Sequence, residues 1–228
     1  IADYTYDLPP ERIAKYPLPE RDKSKLLVWD GNISDHIFSE LPALTDHASL
    51  MVFNNTRVIR ARLIFRTASG AIIEVFCLEP HSPAEFSMNL ASGGPVEWKC
   101  LVGNLKRWKS GMLESRFIHD GKEHILSAER TGTAGDAFTV RFSWNEAGLS
   151  FAGVLECLGH MPIPPYLDRD DEESDVSAYQ TTYARINGSV AAPTAGLHFT
   201  PSVLAGLDAA GIPRAEVTLH VSAGTFRP

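Results

Sequence analysis

Cysteine is scarce in this 228-residue sequence: only Cys77, Cys100 and Cys157 occur, scattered and odd in number. There is no CxxC pair for zinc, no cysteine triplet for an iron–sulfur cluster and no even framework for disulfides, so a reducing, cytoplasmic setting fits best. Long apolar runs are missing as well. None approaches the roughly 20 residues that would span a bilayer, and no signal peptide opens the chain, so no membrane partner is expected. Net basic charge is also lacking. Lys and Arg number 21 against 28 Asp and Glu, for a formal charge of −7, which does not announce a nucleic-acid binder, although local patches matter more than the total. Nor is there a G-x-G-x-x-G after a strand, a P-loop, an H-E-x-x-H or a G-x-S-x-G. What remains is a chain 44% hydrophobic, with ordinary Gly and Pro content, able to bury the core of one or two domains.

The texture changes twice along the chain. Residues 1–60 read as mixed structure, with a short helix expected over "PPERIAKYP" and ended by Pro17 and Pro19, then strands at "SKLLVWDG" and "LMVFNNTRV". Residues 61–147 alternate with period two and carry a hairpin signal at Asp120-Gly121, and no helix is expected there. After that the mixed texture returns. "SFAGVLECLG" reads as a helix closed by Gly159, and "DRDDEESD" as a solvated acidic loop or helix start. Thr200-Pro201 opens a helix with Val203, Leu204 and Leu207 on one face and Gly211 at its end. "AEVTLHV" reads as a strand with Val217, Leu219 and Val221 on one side. The expected fold is of mixed α+β class: a discontinuous α/β core domain, 1–60 and 148–228, with an inserted all-β, barrel-like domain at 61–147.

Two stretches could carry chemistry. "GSVAAPTAGLHFT", residues 188–200, is small almost throughout and runs into a helix N-terminus, where free N–H groups favour anions and a ligand can approach the backbone. His198 stands alone at its mouth; the alternative is a packed loop whose histidine satisfies a local hydrogen bond. "FNNTRVIRARLIFR" holds Arg57, Arg60, Arg62 and Arg66 without an acid, and "EWKCLVGNLKRWKSG" adds Lys99, Lys106, Arg107 and Lys109 beside Trp98 and Trp108. Basic groups interleaved with aromatics suit phosphate contacts and base stacking; the alternative is ordinary surface.

The blocks "YDLPPERIAKYPLPERDKSKLLV", "MVFNNTRVIRARL", "LGHMPIPPY", "YQTTYA", "GSVAAPTAGLHFT" and "VTLHVSAGTFRP", in that order, resemble those of the S-adenosylmethionine:tRNA ribosyltransferase-isomerases of queuosine biosynthesis. The resemblance implies transfer and isomerisation of the S-adenosylmethionine ribose onto 7-aminomethyl-7-deazaguanine at the tRNA wobble position, giving epoxyqueuosine with release of adenine and methionine. S-adenosylmethionine is then a co-substrate, and neither a further cofactor nor a metal is expected; the chain is expected to be a monomer. The chemistry needs a base and an acid, and His198 and His220, in matching blocks, become the catalytic candidates, each a possible base. Asn54, Asn55, Arg57, Gly188, Ser189, Thr194, Gly196 and Thr200 are the candidate S-adenosylmethionine contacts, with backbone N–H groups near Pro201 for its carboxylate. Arg60, Arg62, Lys106, Arg107, Lys109, Tyr179 and Gln180 are the candidate tRNA contacts.

Three departures accompany the likeness. Arg60 stands where the family usually has proline, Ser222 where it has glycine, and family members continue beyond the position of Pro228, so an incomplete site is expected. A catalytically inactive tRNA-binding paralogue of the same fold is the alternative reading.

Overall fold

The computed structural model describes residue 3 and residues 5–222. Its chain opens irregularly. The helix expected over "PPERIAKYP" is only a 3-10 turn at Pro10–Arg12, because Pro9, Pro10, Pro17 and Pro19 lack the N–H groups a longer helix needs. Strands β1 (Lys25–Trp29) and β2 (Ile33–Ile37) form a hairpin, followed by the single turn α1 (Leu41–Leu44). Strands β3 (Met51–Asn54) and β4 (Thr56–Val58) are one path broken at Asn55.

The next stretch closes into a barrel from β5 (Arg62–Arg66), β6 (Ile72–Ser82), β7 (Val96–Val102), β8 (Leu113–His119), β9 (Lys122–Ala134) and β10 (Ala137–Trp144). The strand order β10-β7-β6-β5-β8-β9 closes through the β9–β10 pair, with antiparallel ladders throughout. Alternation explains it: Leu63, Phe65, Ile73, Val75, Trp98, Leu126, Val140 and Phe142 face inward and are buried. Asp120 and Gly121 both take positive φ, 50° and 74°, as the two-residue β8–β9 turn requires.

One expectation for this stretch is corrected. A helix does occur, α2 (Phe86–Ala91), its first turn capped by the Glu85 carboxylate accepting from Ser87 N and Met88 N at 3.0 and 2.7 Å. Six residues are too few to register as a helical period. The apolar core also continues past residue 147. Phe151, Val154 and Leu155 of α3 (Phe151–Leu158), together with Val190, join the barrel's own cluster. Phe151 lies 5.4–5.7 Å, ring to ring, from Trp98, Phe142 and Trp144.

The remaining elements are α4 (Glu173–Ala178), β11 (Ile186–Ser189), α5 (Pro201–Ala209) and β12 (Arg214–Val217). Strand β11 pairs with β4 and β12 with β3, both parallel, so the β3–β4 path changes partner at Asn55. The Asn55 N–H donates to Val217 O, while its carbonyl accepts from Arg185 N and Ile186 N. Helix α5 is as expected: Thr200 Oγ1 accepts from Val203 N at 3.3 Å, Val203 and Leu207 are buried, and Gly211 (φ 70°) follows the end. The expected strand through Val221 stops at Val217. Val217 and Leu219 are 37% and 61% exposed, so neither belongs to a buried face.

Candidate active site

His198 sits at the end of a 3-10 helix, Thr194–His198, that follows β11 and precedes α5. Its ring packs at 5.3 Å from Phe38, and Nδ1 lies 3.3 Å from the Arg21 carbonyl. Because a carbonyl can only accept, Nδ1 is the donor in that contact, and a neutral ring would then keep its lone pair on Nε2. A cavity of about 340 Å³ opens beside it, walled by Tyr16, Arg21, Tyr166, Tyr179, Thr194, Leu197 and His198. That volume suits a small-molecule site, and its walls combine aromatic faces with few polar groups.

The walls are held from behind by the acidic run, which is therefore more than a solvated loop. Asp175 is 2% exposed and takes a two-pronged pair from Arg169 at 2.7 and 2.8 Å. The Arg169 guanidinium lies 4.6 Å from the Tyr16 ring centre, and Tyr16 Oη donates to Glu172 at 2.9 Å. Bonding to Glu172 raises the Tyr16 pKa, and bonding to Arg169 lowers that of Asp175. Arg21 donates to the carbonyls of Gln180, Ser177 and Leu197, closing the far side of α4. Its burial lowers its pKa.

His220 belongs to a different cluster. Its ring stacks on Phe86 at 4.2 Å and 14°, and Nδ1 is covered without a hydrogen-bond partner among the described residues. Gly188, at φ 142°, is what admits the ring: a Cβ there would fall 2.5 Å from His220 Nδ1 and 2.9 Å from Phe86. Around it, Asn54 Oδ1 accepts from Leu219 N and Thr56 Oγ1, while Asn54 Nδ2 donates to Leu219 O. Ser189 Oγ shares a hydrogen bond with Thr56 Oγ1 at 2.7 Å and accepts from Val221 N at 3.0 Å. Asn55 binds Glu216 and Thr218.

Several expected contacts thus have other work. The structure gathers Asn54, Asn55, Gly188, Ser189 and His220, and separately Thr194, Tyr179 and His198. The amides of Asn54 and Asn55 hold residues 216–219 in place and are already engaged. The small residues of 188–200 admit the chain's own rings: a Cβ at Gly196 would collide with Tyr183 Oη. The start of α5 is not an open anion site either, because Thr200 Oγ1 donates to Asp22 Oδ2 at 2.8 Å and a substrate carboxylate would meet like charge.

The candidate RNA contacts divide in the same way. Arg62 forms a fork with Glu74, two bonds of 3.0 Å, and lies 3.9 Å from Asp171; the Glu74 bond raises its pKa. Arg60 reaches Glu173 at 3.4 Å and precedes β5, so it does not share a strand face with Arg62 and Arg66. Gln180 gives both ends of its amide to Val58, and Tyr179 packs on the cluster of Val58, Met161, Ile163 and Leu167. Trp98 and Trp108 are buried and cannot stack on bases. Arg57, Lys106, Arg107 and Lys109 are exposed. Sequence reasoning missed Tyr16, Arg21 and Phe86. The first two lie in the "YDLPPERIAKYPLPERDKSKLLV" block, which was the available signal; nothing in the sequence singles out Phe86.

Among the described residues no group of three or more His, Cys, Asp and Glu could hold a metal ion, and no helix is long and apolar enough to cross a membrane. The molecule is a mixed α/β and β-barrel protein with an imidazole in an aromatic-walled cavity. The family model described as "Queuosine biosynthesis protein" matches residues 1–228, and the chain belongs to that family. A similar solved structure is that of an S-adenosylmethionine tRNA ribosyltransferase from Thermotoga maritima, 27% identical over 96% of this chain, with a TM-score of 0.34. The chain spans 58% of the length of that protein.

Proposed function

We propose that this chain transfers and isomerises the ribosyl group of S-adenosylmethionine onto 7-aminomethyl-7-deazaguanine in tRNA, giving epoxyqueuosine with release of adenine and methionine. Membership of the queuosine biosynthesis family over all 228 residues carries the reading. S-adenosylmethionine serves as co-substrate, without a resident cofactor, and the protein works as a monomer in the cytoplasm. His198 is the base: with Nδ1 held by the Arg21 carbonyl, Nε2 faces the task of removing the proton from the ribose carbon beside the sulfonium. The Tyr16, Tyr166 and Tyr179 rings offer stacking faces for a nucleoside. His220, in the neighbouring cluster of Asn54 and Ser189, is the second imidazole and the candidate to assist adenine departure.

The test is adenine release from S-adenosylmethionine with tRNA bearing the modified base. His198→Ala should lower turnover about 10²-fold or more, the scale of a lost general base, and leave S-adenosylmethionine binding nearly unchanged. Loss of binding with normal turnover per bound complex would make His198 a positioning residue and pass the base role to His220. Binding of tRNA without adenine release by the unaltered protein would overturn the transferase reading.

A further inference from the structure

On strand β9 the inward column runs Leu126, Ala128, Arg130, as the pairing of Arg130 with buried Val140 requires. A cation thus stands where barrel geometry calls for an apolar side chain. The register shifts after this pair, leaving Thr131 as an extra residue, and such a bulge ends a ladder and re-aims its neighbour. Arg130 is gripped rather than neutralised. Its guanidinium carbon lies 5.1 Å from the Trp108 ring centre and 5.8 Å from that of Phe138, and Nη2 donates to Lys109 O at 2.7 Å. No carboxylate pairs with it among the described residues, and its Nε is covered without an acceptor. A cavity of about 410 Å³ opens there, with Arg130, Lys109, Thr131 and Thr133 in its lining. Glu129 is the acid in that lining. Exposed Lys106 and Arg107 lie on the turn just before Trp108.

We infer that this barrel mouth is a subsite for a phosphate of an RNA backbone, with Arg130 as its fork, Lys109 as the second cation, and Lys106 and Arg107 continuing the track. The inference rests on the proposal that the chain acts on RNA, and it supplies the surface for it. Trp108, buried and unable to stack on a base, instead holds the guanidinium plane at little entropic cost; with Nε covered and one Nη2 hydrogen on Lys109 O, the remaining Nη hydrogens are the ones left for a phosphate. Its neighbours favour a polymer over a lone ion, because Lys106 and Arg107 lie outside the cavity and only a chain of phosphates would reach them too.

Binding of a short RNA hairpin to the whole chain, followed by fluorescence anisotropy across a salt series, tests this. Arg130→Gln should weaken binding about tenfold. Lys109→Gln, an exposed change that leaves the fold intact, should lower the slope of log affinity against log salt by about 0.7–0.9. Arg130→Lys, which keeps the charge and loses the fork, should recover only part of the affinity, and Glu129→Gln should tighten binding. Unchanged affinity and slope in both Lys109→Gln and Arg130→Lys, with normal hairpin binding by the unaltered chain, would overturn this inference alone. Absence of hairpin binding by the unaltered chain would overturn the RNA reading with it. Inorganic phosphate, titrated against Trp108 emission, separates the sources: saturation by phosphate without any effect of the variants on the hairpin would mean a free-anion site and refute the backbone assignment.

Discussion

The barrel and the strand-switch region around Asn55 solve the same pairing problem with different materials. In the barrel, ladders such as β8–β9 and β9–β10 run seven and eight paired positions, and the closed order leaves no edge. Its core is a continuous apolar cluster that includes the cross-strand pair Cys77–Cys100. Around Asn55 the strands have three or four residues, and each pair stands as a two-stranded sheet. There side chains reinforce the short parallel ladders: Asn54, Asn55, Thr56, Ser189 and Gln180 bond across segments that the ladders join at few positions. A truncation in the close-packed barrel core is felt by the whole cluster, whereas loss of a side-chain link is felt by the one segment it holds. The His198 cavity and the His220 cluster both lie in the second kind of structure, where local opening is easier.

The largest effect is expected where the two regions share atoms. Phe151→Ala, outside the β segment in sequence but inside its core, should destabilise the chain by about 3–5 kcal/mol and collapse the near-UV signal of the barrel tryptophans. A cost below about 1 kcal/mol would mean that the barrel core is self-sufficient. Next comes Asp175→Asn, which strips a buried guanidinium of its partner and should cost about 3 kcal/mol in urea denaturation. The pH dependence follows from the sign of the shift. Arg169 holds the folded Asp175 pKa below its ordinary value, so its stabilisation is full above about pH 4 and fades as pH falls through the depressed value. The Asn variant should lack that part of the acid sensitivity; an identical acid profile would refute the assignment.

Smaller and more local is Asn54→Ala, at about 1–2 kcal/mol. Hydrogen exchange should quicken at Leu219 while Val75 and Val140 keep their protection. Uniform loss of protection would show that the two regions open together.

Legibility followed the same division. The barrel could be read because a period of two and an Asp-Gly turn are local signals, and the sequence showed both. Helix α2 escaped since "FSMNLA" is short and its cap is a glutamate instead of the usual small hydroxyl or amide residue. The roles of Asn54 and Asn55 could not be read: their partners lie more than 160 positions away, so "NNT" looks like a ligand clamp until residues 216–219 are seen against it. The acidic run was legible as a helix start, which α4 is, but not as a buried ion pair, because the single Arg169 that pairs Asp175 is outnumbered in the sequence around it. His198 was singled out from its block, yet the partner of its Nδ1, Arg21, lies 177 residues earlier.

Gln180 has a consequence for how the sheet ends. Strand β4 is short and flanked on one side by β11; its other side would offer Val58's N–H and carbonyl to any passing extended chain. The Gln180 carboxamide occupies both, accepting from the N–H at 3.0 Å and donating to the carbonyl at 2.7 Å, as a single strand residue would. It cannot be extended, because a side chain presents no further backbone beyond its own amide. At this position the Gln180 side chain therefore ends the sheet and satisfies the strand's outer groups without adding a strand to the fold.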